Sequence, residues 1–111
     1  MGIDMKPILK EPKWNKTERR YAQTVLEGLR LSGEILEWRY EPLNFRMADN
    51  TYYRPDFLLI YETHFEIVEI KGFLRDDAHV KFKTCAALYP WFKWRMIFYN
   101  KRQGFYEKQE Y

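Results

Sequence analysis

The chain has 111 residues, a formal net charge of +3, 46% hydrophobic residues and 19% aromatic residues, the proportions of one compact domain and not of a disordered tail. Its longest wholly apolar run, residues 57–61, is far shorter than the roughly 20 residues of a membrane helix, so a soluble protein with no membrane partner is expected. Cys85 is the only cysteine, which excludes an internal disulfide and points to a reducing, cytoplasmic setting; with only His64 and His79 beside it, an ordinary zinc set is also excluded.

In chain order, residues 1–14 carry Pro7, Pro12 and no sustained period, and read as an N-terminal arm over the surface of a single domain spanning 15–111. Tyr21, Ala22, Val25, Leu26 and Leu29 recur at helical spacing and predict a helix closed by Gly33. Leu36, Trp38 and Tyr40 alternate with Glu37, Arg39 and Glu41 and predict a strand with a polar face, stopped by Pro42. Residues 42–54 read as a connection. Two further strands follow, residues 56–61 and 65–71, as a hairpin apolar on both faces that needs cover on both sides. Asp76 or Asp77 is placed to cap a second helix with Ala78, Phe82, Cys85, Ala86 and Tyr89 as its stripe, ended by Pro90, and residues 95–99 supply a last strand. Helix, three strands, helix, strand is the order of an α/β domain with a mixed sheet flanked by helices.

The hairpin carries the chemistry. Glu69 and Lys71 share one strand face about 7 Å apart along an otherwise apolar segment, where unpaired charges are costly. A two- or four-residue turn sets Asp56 opposite Glu69; a three-residue turn separates them. Two carboxylates on one face offer hard oxygen ligands to Mg²⁺, and Lys71 beside them can orient or help deprotonate a water and offset charge developing on phosphorus. Glu18 precedes Tyr21, Ala22 and Val25 by three, four and seven residues and belongs to the stripe facing the sheet. Its competing reading is structural, because Asn15-Lys16-Thr17-Glu18 also has the spacing of a capping box. Asp56 can likewise serve as a turn residue, and Glu69 with Lys71 as the solvated end of an edge strand.

Pro55-Asp56 followed by Glu69-Ile70-Lys71, after a helix with an early Glu, resembles the PD-(D/E)XK nuclease superfamily. Within it, the Lys-Thr-Glu-Arg-Arg-Tyr helix, the Tyr-Arg-Pro-Asp-Phe segment and the Glu-Ile-Lys-Gly strand end are similar to small phage and prophage endonucleases, and the Holliday-junction resolvase branch is similar too. The resemblance implies a restriction-endonuclease-like αβββαβ core over about residues 15 to 99. It also implies a divalent-metal-dependent endodeoxyribonuclease acting on DNA, with branched or nicked substrates and phage replication, recombination or packaging as contexts. Asp56 and Glu69 would be ligands to Mg²⁺, with Mn²⁺ as substitute, the Ile70 carbonyl a further ligand, Lys71 the catalytic lysine and Glu18 the support of a second metal or a water. Lys81 and Lys83 on the second helix, with Arg54, Arg75, Arg19 and Arg20, would contact DNA phosphates. A homodimer would present two sites to two strands. The alternative function is a non-catalytic DNA-binding or assembly protein whose acids are structural.

Overall fold

The structure, a computed structural model, describes residues 2–5, 12–71 and 76–108. Asn15 caps the first helix: its side chain accepts from the Glu18 N–H, and the Glu18 carboxylate accepts from the Asn15 N–H, completing a capping box. The helix, α1, runs as α-helix over Lys16–Tyr21, widens into a π turn at Ala22–Leu26 and returns to α-helix over Glu27–Leu31. Gly33 closes it at φ 83°, the left-handed conformation that glycine takes without strain.

Among the described residues eight strands form two sheets. β2 (Glu37–Tyr40), β5 (Phe57–Ile60), β6 (Phe65–Lys71), β7 (Lys93–Asn100) and β8 (Gly104–Glu107) lie side by side in that order, with β6 and β7 parallel and the other neighbours antiparallel. β1 (Ile3–Met5), β3 (Leu43–Ala48) and β4 (Thr51–Tyr53) make a small antiparallel sheet. The second helix, α2, spans Asp76–Leu88 between β6 and β7, long enough for the crossover that parallel neighbours require.

Both faces of the β5–β6 hairpin are covered, as its two-sided apolar pattern demands. Phe57, Leu59, Val68 and Ile70 pack against Tyr21, Ala22 and Leu26 of α1. On the opposite face Leu58 and Ile67 join Phe82, Cys85 and Tyr89 from α2 or its end and Leu43, Phe45 and Tyr53 from the small sheet. Cys85 is fully buried there, which pushes its thiol up to about 11, so it behaves as a small hydrophobe.

The small sheet corrects two expectations. Residues 42–54 are not an unstructured connection but the β3–β4 hairpin, because Leu43 and Phe45 alternate with polar Asn44 and Arg46 and Asn50 takes the turn's positive φ of 57°. Residues 3–5 do not simply pass over the surface; they pair with residues 43–45 and extend that sheet. β8 is a further addition, paired to β7 after a turn ending at Gly104, φ 75°. Among the described residues no helix is long and apolar enough to cross a membrane.

Candidate metal centre

The β5–β6 register decides where the acids lie. Ile60 pairs with Phe65 and Phe57 with Val68, leaving a four-residue turn closed by the Tyr61 N–H donating to the His64 carbonyl at 2.9 Å. One step further along this even register brings Asp56 opposite Glu69. There the side chains replace the backbone ladder: the Asp56 N–H donates to Glu69 Oε1 at 2.9 Å, and the Ile70 N–H donates to Asp56 Oδ2 at 2.8 Å. Lys71, on the same face as Glu69, places Nζ 3.0 Å from Glu69 Oε2.

Asp56 and Glu69 are only 6% and 5% exposed, so two like charges share a nearly dry space. Burial, then Glu69 and then Glu18 push Asp56 up to about 9. Glu69 is raised too, by burial, against the pull of Lys71. Burial works to lower Lys71, but the charge of Glu69 outweighs it and holds the amine in its ammonium form.

Glu18 does not complete a three-acid pocket, and this corrects the expectation that it meets the other two. Its Oε1 accepts from the Asn15 N–H at 3.1 Å and from the Tyr40 hydroxyl at 2.9 Å, so the capping box and Tyr40 together hold it at the helix start. It remains near enough to raise Asp56 and Lys71 electrostatically. Among the described residues no group of three or more His, Cys, Asp or Glu side chains is gathered to hold an ion. Asp56 and Glu69 are the two acids that the structure ties to each other directly.

This pair fits a hard divalent cation. The Tyr53 hydroxyl is buried beside Glu69 and interacts with its carboxylate, although not in full hydrogen-bond geometry among the described residues, so it adds a neutral polar group to the same space. Burial followed by the charges of Glu69 and Asp56 suppresses its ionisation, so it stays a neutral hydroxyl. The Ile70 carbonyl, which in extended backbone points to the same side as its own N–H, faces Asp56 and can add a neutral oxygen. Tyr53 and Tyr40 were both missed as site residues in the sequence. The register signal for Tyr40 was present, since a β2–β5 pairing places it beside Phe57, next to Asp56.

The flanking cations divide. Arg54 Nη1 donates to the Glu41 carbonyl at 3.3 Å beside Pro55-Asp56. Arg19 and Arg20 are exposed on α1 and line a groove of about 740 Å³. Lys81 and Lys83 are both exposed on α2, with Phe82 between them facing the core; the burial pattern does not bring Lys81 closer to the apolar stripe than Lys83. Arg75 lies outside the described residues. Comparison of the chain with known protein families, characterised proteins and solved structures finds no significant match.

Proposed function

We propose that the protein is a divalent-metal-dependent phosphodiester hydrolase acting on DNA, with Asp56 and Glu69 as ligands to Mg²⁺ or Mn²⁺. One observation carries this reading: two buried carboxylates, pinned by backbone N–H groups at the end of a paired hairpin, with an ammonium 3.0 Å from one of them. A purely structural ion pair would need one acid for Lys71; the second, Asp56, adds repulsion in a dry site. A bound cation offsets that repulsion.

When bound, the metal supplies a Lewis acid and an activated water. The chain's own part is positional. Asp56 is held by the Ile70 amide, and Glu69 is held between the Asp56 amide and Lys71. Lys71, 3.0 Å from Glu69, is placed to orient water and to stabilise charge on phosphorus. Glu18, fixed by Tyr40, biases the field at Asp56 from the helix side. The order helix, three antiparallel strands, helix and parallel strand, with the acids at the end of the second and third of those strands, supports a restriction-endonuclease-like core.

The test is a cleavage panel of linear, nicked, flapped and four-way DNA with Mg²⁺, Mn²⁺ or chelator, for the parent and for Glu69→Gln. Metal-dependent cleavage lost in a folded Glu69→Gln protein is the expected result. Absence of metal-dependent cleavage on every substrate, or undiminished cleavage by that variant, rejects the reading.

A further inference from the structure

A second concavity lies away from the carboxylates themselves. It is a groove of about 740 Å³ between α1 and the β7–β8 hairpin, lined by Lys16, Arg19, Arg20 and Lys101 together with Gln23 and Tyr99 among others. Among the described residues no acidic side chain lines it. Elsewhere Arg30, Arg39, Arg46 and Arg95 each meet a carboxylate. Among the described residues none of the four groove cations does. The Arg20 guanidinium lies 5.7 Å from the Tyr99 ring centroid and is held toward the groove by that contact. Glu18, the one acid in this turn of α1, is turned to Asn15 and Tyr40. Four cations without a carboxylate partner among the described residues, gathered in one concavity on a chain whose whole excess is +3, concentrate positive potential there.

Topology puts this groove at the same end of the sheet as the candidate metal centre. β7 runs parallel to β6 with Lys71 opposite Phe98, so Tyr99 to Lys101 continue past the edge where Glu69 and Lys71 stand. From the other side Lys16, Arg19 and Arg20 flank Glu18, whose charge reaches Asp56.

We infer that this groove is a docking track for the phosphate backbone of DNA, in which Lys16 and Lys101 bind phosphates flanking the one at the carboxylates. The choice of DNA as the polyanion rests on the proposed hydrolase reading; the groove's affinity for a phosphate chain does not. Arg19 and Arg20 take part in the same track, Arg20 with its planar face against Tyr99. Tyr99 and Gln23 give the wall a ring and an amide that can contact sugar and phosphate without reading sequence.

The experiment measures binding without chemistry. The full chain in chelator is titrated against a fluorescein-labelled duplex of two helical turns, by anisotropy, across a series of salt concentrations. The variants are Lys16→Gln/Lys101→Gln and, at the opposite end of β7, Lys93→Gln. The groove pair is expected to bind several-fold more weakly and to reduce the slope of log K against log salt by roughly 1.8, about 0.9 for each phosphate left without its lysine. Lys93→Gln is expected to match the parent. Equal slopes for parent and groove variant, an equal loss from Lys93→Gln, or no binding by the parent at low salt overturns the track. Cleavage by the parent with an unchanged groove slope would remove the track and leave the hydrolase. A changed slope with no cleavage under any metal would do the reverse.

Discussion

Asp56 and Glu69 are coupled through the backbone and not only through space: the amide of Asp56 donates to the carboxylate of Glu69 at 2.9 Å, while the amide after Glu69 donates to the carboxylate of Asp56 at 2.8 Å. Each acid thereby substitutes for a ladder acceptor just where backbone pairing of β5 and β6 ends at Phe57 and Val68. Their positions follow from the hairpin register, so they are preorganised before any ligand arrives.

Asp56→Asn separates the metal from the scaffold. The amide oxygen still accepts from the Ile70 N–H, and a neutral side chain suits a space only 6% exposed at this residue, where burial and Glu69 already favour the neutral acid. Metal-free stability is expected to stay within about 1 kcal/mol of the parent. Mn²⁺ at a hundredfold excess over its Kd is expected to stabilise the parent by about 2.7 kcal/mol and the variant by almost nothing. Differential scanning fluorimetry with and without Mn²⁺ checks both, and an equal metal response in the two proteins contradicts the assignment of Asp56.

Lys71→Met retains much of the aliphatic stem and removes the ammonium that stands 3.0 Å from Glu69. Cleavage in single turnover is expected to fall by at least about a hundredfold, the scale of losing one stabilising donor at a developing anion. Binding of duplex DNA in chelator is expected to change little by comparison. A loss confined to binding, with the chemical step intact, would reassign Lys71 to the phosphate rim.

Tyr53→Phe removes a buried hydroxyl that lies against Glu69 without full hydrogen-bond geometry among the described residues. Burying that group without a full hydrogen bond costs stability, whereas a phenyl ring fills the same space beside Leu58 and Phe82 in the apolar cluster. The metal-free variant is expected to be as stable as the parent or more stable by about 1 kcal/mol, read as a shift of the urea midpoint at constant m. A loss of more than about 1 kcal/mol would show that the hydroxyl makes a bond worth keeping.

The parts legible in the sequence were those set by periodicity and register. The α1 stripe put Tyr21, Ala22 and Leu26 in the core, and the register argument set Asp56 opposite Glu69 on condition of an even turn, which the four residues between Ile60 and Phe65 supply. The small sheet was illegible because β3 hides its alternation behind Asn44 and Arg46, and β1 has only three residues, whose place is set by partners forty residues away. The π turn at Ala22–Leu26 leaves no mark in apolar spacing either. Glu18 was ambiguous for a physical reason: a capping glutamate and an inward-facing acid need the same residue at the same position, and here the cap and Tyr40 hold it. Of the groove cations, Arg19 and Arg20 were legible beside Glu18, whereas Lys101 reaches the same end of the sheet as the acids only through the parallel β6–β7 pairing.

Glu27 gives the fold a pH dependence independent of the metal centre. Its carboxylate accepts from Arg30 Nη2 at 2.7 Å within α1 and from the Trp38 indole N–H at 2.7 Å across to β2. The Arg30 bond first and the Trp38 bond second lower its pKa to about 2. A carboxylate lowered in the folded state stabilises above its unfolded pKa, and that contribution is lost as pH falls through the folded one. The advantage of the parent over Glu27→Gln is therefore expected to be full at neutral pH, to shrink as pH drops below the ordinary glutamate value of 4.5, and to vanish near 2. The side chain is 36% exposed, so solvent and salt screen the effect and the gap should narrow further at high ionic strength. Urea midpoints for both proteins over that pH range test the sign, and a gap that widened on acidification would contradict the bridge from Glu27 to Trp38.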